Sequence, residues 1–121
     1  THDIQQDRVA AAVVLAKRFN SLVVLKGAGS VCASPDGTWF INPTGNPGLS
    51  SAGMGDVLSG MIGALIAQRL APRQALLLAV YLHGAAADEQ VARGIGPIGL
   101  TATEVTDAAR SLINRWVYPG G

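Results

Sequence analysis

The sequence predicts part of an α/β layered fold. One observation is a short, continuous apolar run rich in β-branched residues, Leu22-Val23-Val24-Leu25. A second is a hairpin signal around Pro35-Asp36-Gly37, and a third is a set of three largely apolar helical patterns from Met54 onward. The apolar run reads as a strand buried on both faces, as in a parallel sheet. One such strand and one hairpin make a poor sheet for three apolar helices, and a parallel strand needs neighbours. Residues 1–121 therefore read as a single partial domain, the second half of a larger one.

Each element has its own signal. Asp3 is a candidate N-cap for a first helix whose apolar face is Val9, Ala12, Val13, Ala16 and Phe19, ended by Asn20-Ser21. The strand at Leu22 to Leu25 runs into Lys26-Gly27-Ala28-Gly29-Ser30. Ser30 to Ser34 and Thr38 to Ile41 flank the Pro-Asp-Gly turn as the two arms of the hairpin. Asn42 to Ala52, built from Asn, Pro, Gly, Thr and Ser, reads as loop. A helix from Met54 carries Val57, Leu58, Met61, Ile62, Leu65 and Ile66, with Ser59, Gly60, Gly63 and Ala64 small enough for close contact. Pro72 opens a helix running to about Ala92, and Gly94 to Gly99 breaks the chain. Thr101-Ala102-Thr103-Glu104 is a capping box for a last helix reaching Trp116.

Composition narrows the function classes. Apolar residues make up 49% of the chain and charged residues 14%, against roughly 25% charged in ordinary soluble domains. Such a surface suggests that some of it is normally covered. Nine basic and eight acidic residues give a net charge of +1, which leaves no nucleic-acid or anionic-membrane footprint. The most apolar run, Ala75 to Ala87, falls short of the ~20 residues that span a bilayer and contains His83. With a polar start and a single cysteine, the expectation is a soluble cytoplasmic protein. Cys32, between Val31 and Ala33, reads as a small core residue.

The chemistry concentrates between Asn46 and Asp56. Asn46-Pro47-Gly48-Leu49-Ser50-Ser51-Ala52-Gly53-Met54-Gly55-Asp56 leads a glycine-studded loop into a helix start. Glycines admit positive φ and close backbone approach, and the helix start offers unpaired N–H groups and a positive dipole end, which suits a phosphate. Asp56 is out of place beside an anion. Two readings answer this: a carboxylate capping the helix, or a base aimed at the group that receives or loses a phosphoryl.

The loop, the Leu25-Lys26-Gly27 strand end, Ala67-Gln68 and Tyr81-Leu82-His83-Gly84 together resemble the C-terminal half of the NAD(P)H-hydrate dehydratases. These are ribokinase-like enzymes, also called carbohydrate-kinase-like dehydratases, and the resemblance runs from Arg8 to about Leu112. It implies a ribokinase-like layered fold, C-terminal portion only, with strand, hairpin, glycine loop and three helices. It also implies repair of hydrated NADH or NADPH. Phosphoryl transfer from ADP in most bacterial members, or ATP in eukaryotic ones, to the ring hydroxyl would make phosphate the leaving group, with Mg2+ among the expected parts.

By the same resemblance Asp56 matches the catalytic, substrate-contacting aspartate. Ala52, Gly53, Met54 and Gly55 match the anion hole. The nucleotide segments are Lys26, Gly27, Ala28, Gly29 and Ser30, and then Asn46, Pro47, Gly48, Leu49, Ser50, Ser51 and on through Gly55. No metal ligand set is implied. The chain departs from the family at Met54 (more often Thr), at Ser50-Ser51 (commonly Ala-Thr) and at Arg69 (usually Gly), where only the helix end should change. A preceding half, with most of the sheet and a His-Pro-Gly-Glu segment, is the implied missing partner, and a homo-oligomer is compatible with the apolar helices.

Blander readings compete at several positions. Lys26 reads as a phosphate contact ahead of a solvated strand-end lysine, while Ser30 is balanced between nucleotide contact and plain strand start. Asn46 is equally balanced between shaping the loop and touching ligand. His83 reads as a satisfied buried histidine, His2 as solvated, Asp88 and Glu89 as a polar helix face, and Trp39 and Trp116 as packing residues. Two other functions remain: a ribokinase-like kinase for a small alcohol, or a nucleotide-binding piece inactive without its companion half.

Overall fold

The computed structural model of the chain describes residues 2–27 and 29–120, with side chains from residue 4. Ala28 and the side chains of His2 and Asp3 therefore lie outside the described residues. The chain forms two compact units, Thr1–Pro43 and Thr44–Gly121.

In the first unit, α1 (His2–Phe19) lies on a three-stranded sheet of β1 (Val23–Leu25), β2 (Val31–Ala33) and β3 (Trp39–Ile41) in the order β1-β2-β3. Helix α1 begins at His2, so the backbone of Asp3 sits within its first turn and not at the N-cap position. It ends as expected: Asn20 turns left-handed at φ 48°, and Ser21 N–H closes on the Ala16 carbonyl at 3.0 Å. The small residues Ala12 and Ala16 let the helix approach β2, where Val31 and Ala33 face it, and Val9, Val13, Val23, Leu25 and Ile41 complete the cluster. Phe19, assigned to this face by its spacing, is instead exposed, with the Arg18 guanidinium 5.9 Å above its ring.

The hairpin forms around the expected turn. Ser34 N–H bonds the Thr38 carbonyl, and Asp36 Oδ1 accepts from Thr38 N–H at 2.9 Å and from its hydroxyl at 2.6 Å. The parallel neighbour expected for β1 is not found among the described residues. β1 pairs antiparallel with β2, Val24 opposite Cys32, and its residues are half-buried. A continuous apolar run reports burial and not strand direction, and among the described residues the strand that pairs with β1 is the antiparallel β2.

In the second unit, α2 (Met54–Ala67), α3 (Pro72–Ala92) and α4 (Ala102–Val117) pack around Met54, Leu82, Ala86, Ala87, Leu100, Val105, Ala108, Ala109 and Leu112. The capping box at α4 is present: Thr101 Oγ1 accepts from Glu104 N–H at 3.2 Å, and Glu104 Oε1 accepts from Thr101 N–H at 2.9 Å. Arg115 bonds both oxygens of Glu89, tying α4 to α3. Two expectations change. Pro47–Ser50 is not irregular loop but a single 3₁₀ turn. On α2 an added Cβ at Gly60 or Gly63 would meet nothing within 4 Å, so these glycines make no close contact among the described residues.

Helix α2 ends in a left-handed residue, as helices commonly do. Arg69 takes that position at φ 72°, with its N–H on the Ile66 carbonyl at 2.9 Å and Leu70 N–H on the Leu65 carbonyl at 3.2 Å. The backbone there asks for glycine, and the departure to arginine leaves the helix end intact.

Candidate active site

The second unit builds its site on the passage from loop to α2. Gly53 is left-handed at φ 85°, a conformation that suits glycine, and it turns the chain into the helix. No side chain caps this helix start. Asp56 stands in the first turn, exposed, with no hydrogen bond or ion pair among the described residues. The capping reading is therefore not what the geometry shows. The carboxylate is uncommitted and open to solvent, beside N–H groups that have no acceptor four residues back within the helix. Met54, by contrast, buries its side chain in the core, 2% exposed, so the residue standing where a hydroxyl is more common serves packing while its N–H meets the Ser51 carbonyl at 3.4 Å.

Upstream, the loop is fastened to α3. Thr44 Oγ1 donates to the Tyr81 carbonyl at 2.9 Å. Asp88 accepts from Gly45 N–H on Oδ2 and from Asn46 Nδ2 on Oδ1, both at 2.9 Å. Asn46 Oδ1 in turn accepts from Gly48 N–H at 2.9 Å and caps the 3₁₀ turn. Between these contacts the loop backbone lies against Gly84: a Cβ there would stand 2.6 Å from the Thr44 carbonyl carbon and 2.8 Å from Gly45 N. Gly48 is buried and equally confined, a Cβ falling 2.8 Å from Leu100 Cδ2.

For Asn46, held evenly between two roles, both functional groups are engaged in shaping the loop. Asp88, expected on a polar face, is half-buried and holds the loop; Glu89 pairs with Arg115. The missed signal is spacing. Tyr81, Gly84 and Asp88 stand three and four residues apart, one stripe of a helix, with a glycine and a carboxylate interrupting an Ala- and Leu-rich pattern.

In the first unit, the Lys26–Ser30 segment turns at Gly27 (φ 149°) and Gly29 (φ 68°). Lys26 is exposed and makes no hydrogen bond or ion pair among the described residues, and Ser30 Oγ donates to the Gly27 carbonyl at 3.3 Å. The loop is held from α1, which sequence reasoning did not foresee. Arg8 donates to the Leu25 and Gly29 carbonyls, each at 3.1 Å, and Gln5 Nε2 donates to the Gly29 carbonyl at 3.2 Å. With those carbonyls occupied, the turn is fixed by a helix that carries none of the motif.

The remaining titratable candidates sit elsewhere. His83 is buried in α3 at 6% exposure, which meets the expected burial, but its buried Nε2 finds no hydrogen-bond acceptor or donor among the described residues, so the expectation of a fully satisfied imidazole is not met. Burial pushes the Cys32 thiol up to about 11, which fits its reading as an inert core residue. Trp116 packs its ring 6.0 Å from that of Tyr81, whereas Trp39 is half exposed. Among the described residues no three of His, Cys, Asp and Glu gather into a metal site, and no helix is long and apolar enough to cross a membrane.

Comparison with known proteins agrees with this architecture. The family described as NAD(P)H-hydrate dehydratase matches residues 1–110. A bifunctional NAD(P)H-hydrate repair enzyme of Moorella thermoacetica is 48% identical over 104 residues, 86% of this chain and 19% of the relative. The ADP-dependent (S)-NAD(P)H-hydrate dehydratase of Neisseria meningitidis is 46% identical over 113 residues, 93% of this chain and 38% of the relative. The crystal structure of the Bacillus subtilis ADP/ATP-dependent NAD(P)H-hydrate dehydratase, co-crystallized with ATP/Mg2+, superposes with a TM-score of 0.86 at 36% identity. It covers 95% of this chain and 41% of its own. The chain thus spans less than half of each of these relatives. With the shared fold and a family match over nearly its whole length, the chain belongs to the NAD(P)H-hydrate dehydratase family.

Proposed function

We propose that this chain carries the nucleotide loops and the catalytic carboxylate of an ADP- or ATP-dependent NAD(P)H-hydrate dehydratase, a hydro-lyase of nucleotide repair. The observation that carries the reading is Asp56, an exposed and uncapped carboxylate in the first turn of α2, directly after the left-handed Gly53. The names of the Neisseria and Bacillus relatives support the substrate class and the use of ADP or ATP.

The chemistry follows from what the groups can do. Water is a poor leaving group and phosphate a good one. Asp56 accepts the proton of the hydrate's hydroxyl as that oxygen attacks the terminal phosphorus of the nucleotide. The bond from that phosphorus to the bridging oxygen breaks, leaving AMP from ADP or ADP from ATP. The N–H groups of the Ala52–Gly55 turn that are not already bonded stabilise the transferring phosphoryl. In the first unit the exposed Lys26 ammonium is a point charge of the kind that suits a nucleotide phosphate. Loss of phosphate from the phosphorylated ring carbon, with loss of a proton from the adjacent ring carbon to water, then forms the double bond and regenerates NADH or NADPH.

Mg2+ usually keeps most of its ligands as water and nucleotide phosphate, with one or two protein carboxylates at most. Among the described residues no three acidic, histidine or cysteine side chains gather, which fits an ion that would be carried in on the nucleotide phosphates. Since the solved relative is more than twice this chain's length, we propose that a preceding half-domain completes the substrate site, in a soluble cytoplasmic enzyme.

The test uses the chain together with that companion half. Supplied with ADP or ATP and magnesium, it should regenerate reduced-nicotinamide absorbance from hydrated NADH. Asp56→Asn should lower the rate by about 10²-fold or more, the scale of general-base catalysis, with little change in stability because Asp56 bonds nothing among the described residues. Absence of turnover in the unaltered protein overturns the reading, and net accumulation of a phosphorylated alcohol would assign a small-alcohol kinase instead.

A further inference from the structure

Asp88 lies outside the residues that the family resemblance carries over, yet its carboxylate is the anchor of the loop that reaches Asp56. Its two oxygens accept from Gly45 N–H and Asn46 Nδ2, each at 2.9 Å. From Asn46 the bonds continue toward α2. Asn46 Oδ1 accepts from Gly48 N–H at 2.9 Å, the Gly48 carbonyl from Ser51 N–H at 3.4 Å, and the Ser51 carbonyl from Met54 N–H at 3.4 Å. Met54 is the first residue of α2, two before Asp56.

We propose that Asp88 is a positioning residue for nucleotide binding: through Asn46 it sets where the amides of the Asn46–Gly55 segment stand. This rests on the nucleotide-loop reading above. A loop that binds phosphate through backbone N–H groups gains from having them fixed before the ligand arrives, since ordering them on binding costs affinity. Asp88 does this from α3, whose packing in the core keeps its position fixed. A half-buried carboxylate bonded by two donors is also a stronger anchor than a neutral acceptor. The side chain of Asn46, occupied at both ends, acts as the coupling and not as a ligand contact.

The three bonds permit a reciprocal test. Asp88→Asn sets an amide N–H₂ against one of two donors and breaks a bond. Asn46→Asp sets two carboxylates against each other. Combined, the two changes exchange the amide and the carboxylate and restore all three bonds. Gly45 N–H then meets the oxygen of the amide on α3, that amide's N–H₂ meets one oxygen of the carboxylate on the loop, and Gly48 N–H meets the other. In the protein with its companion half, ADP titration by calorimetry is the readout, beside thermal midpoints and the ADP KM and kcat of hydrate dehydration. Each single variant should weaken ADP binding by about tenfold or more, raising KM for ADP while kcat at saturation changes little; the double variant should return to within a few-fold of the unaltered protein.

Lowered midpoints with unchanged ADP affinity would reduce Asp88 to a fold-stabilising residue and overturn the proposal. So would a double variant as impaired as the singles. If the singles do not fold, the double decides alone. Dehydration failing while ADP binds would overturn only the reaction assigned above, and loss of ADP binding in the unaltered protein would overturn both.

Discussion

Replacing Gly84 with alanine sets helix propensity against packing. In an open helix interior the change favours folding by up to about 1 kcal/mol. At Gly84 the new Cβ would stand 2.6 Å from the Thr44 carbonyl carbon and 2.8 Å from Gly45 N, both backbone atoms that no rotamer change can move aside. The loop must retreat by the better part of an ångström. Overpacking of this kind costs about 1–3 kcal/mol. The retreat also stretches the Thr44 Oγ1–Tyr81 and Gly45 N–Asp88 hydrogen bonds, now 2.9 Å each. Losing either adds about 1 kcal/mol, so the net expectation is a destabilisation of about 1–4 kcal/mol despite the better helix former. Urea unfolding followed by far-UV circular dichroism reads this directly, with Gly63→Ala as the control. There a Cβ meets nothing within 4 Å, and the change should be neutral or stabilising by up to about 1 kcal/mol. Gly84→Ala unfolding at the same or a higher urea concentration than the unaltered chain would refute the close docking of loop on helix.

Two further outcomes follow from single positions. Arg69→Gly should stabilise by about 0.5–1 kcal/mol in the same assay, because Arg69 holds a left-handed backbone at φ 72° that strains an L-residue and not glycine, partly offset by glycine's freer unfolded state. Cys32 should resist iodoacetamide near neutral pH while the chain is folded and react on unfolding. Its thiol titrates near 9.0 when free and is pushed up to about 11 by burial, so the folded state favours the protonated form. That contribution is complete below about 9 and is lost as pH rises towards about 11, a decline in alkaline stability that Cys32→Ala should remove.

Local rules made much of the fold legible. The Pro-Asp-Gly hairpin, the Thr101–Glu104 capping box and the left-handed helix end at Asn20 each satisfy backbone groups within a few residues. What failed had no local signature. Burial of the Leu22 to Leu25 run did not disclose that its partner strand runs antiparallel, because burial carries no direction. Phe19 keeps helical spacing with Val9 and Ala16 but lies at the helix end, beyond the sheet residues that cover them.

The candidate site divides in the same way. The sequence by itself determined the glycine loop, the carboxylate at the helix start and the lysine at the strand end, since their chemistry is fixed by residue type and order. Only the tertiary structure decided what those residues do with their polar groups. It left Asp56 and Lys26 uncommitted among the described residues, engaged Asn46 at both ends, and turned Asp88 from an ordinary face residue into the anchor of a loop more than forty positions earlier. Such a bond is invisible in sequence because a carboxylate on a helix looks the same whether it meets water or a distant N–H. The choice between them is made by packing, once Gly84 lets the loop come close enough for Asp88 to reach it.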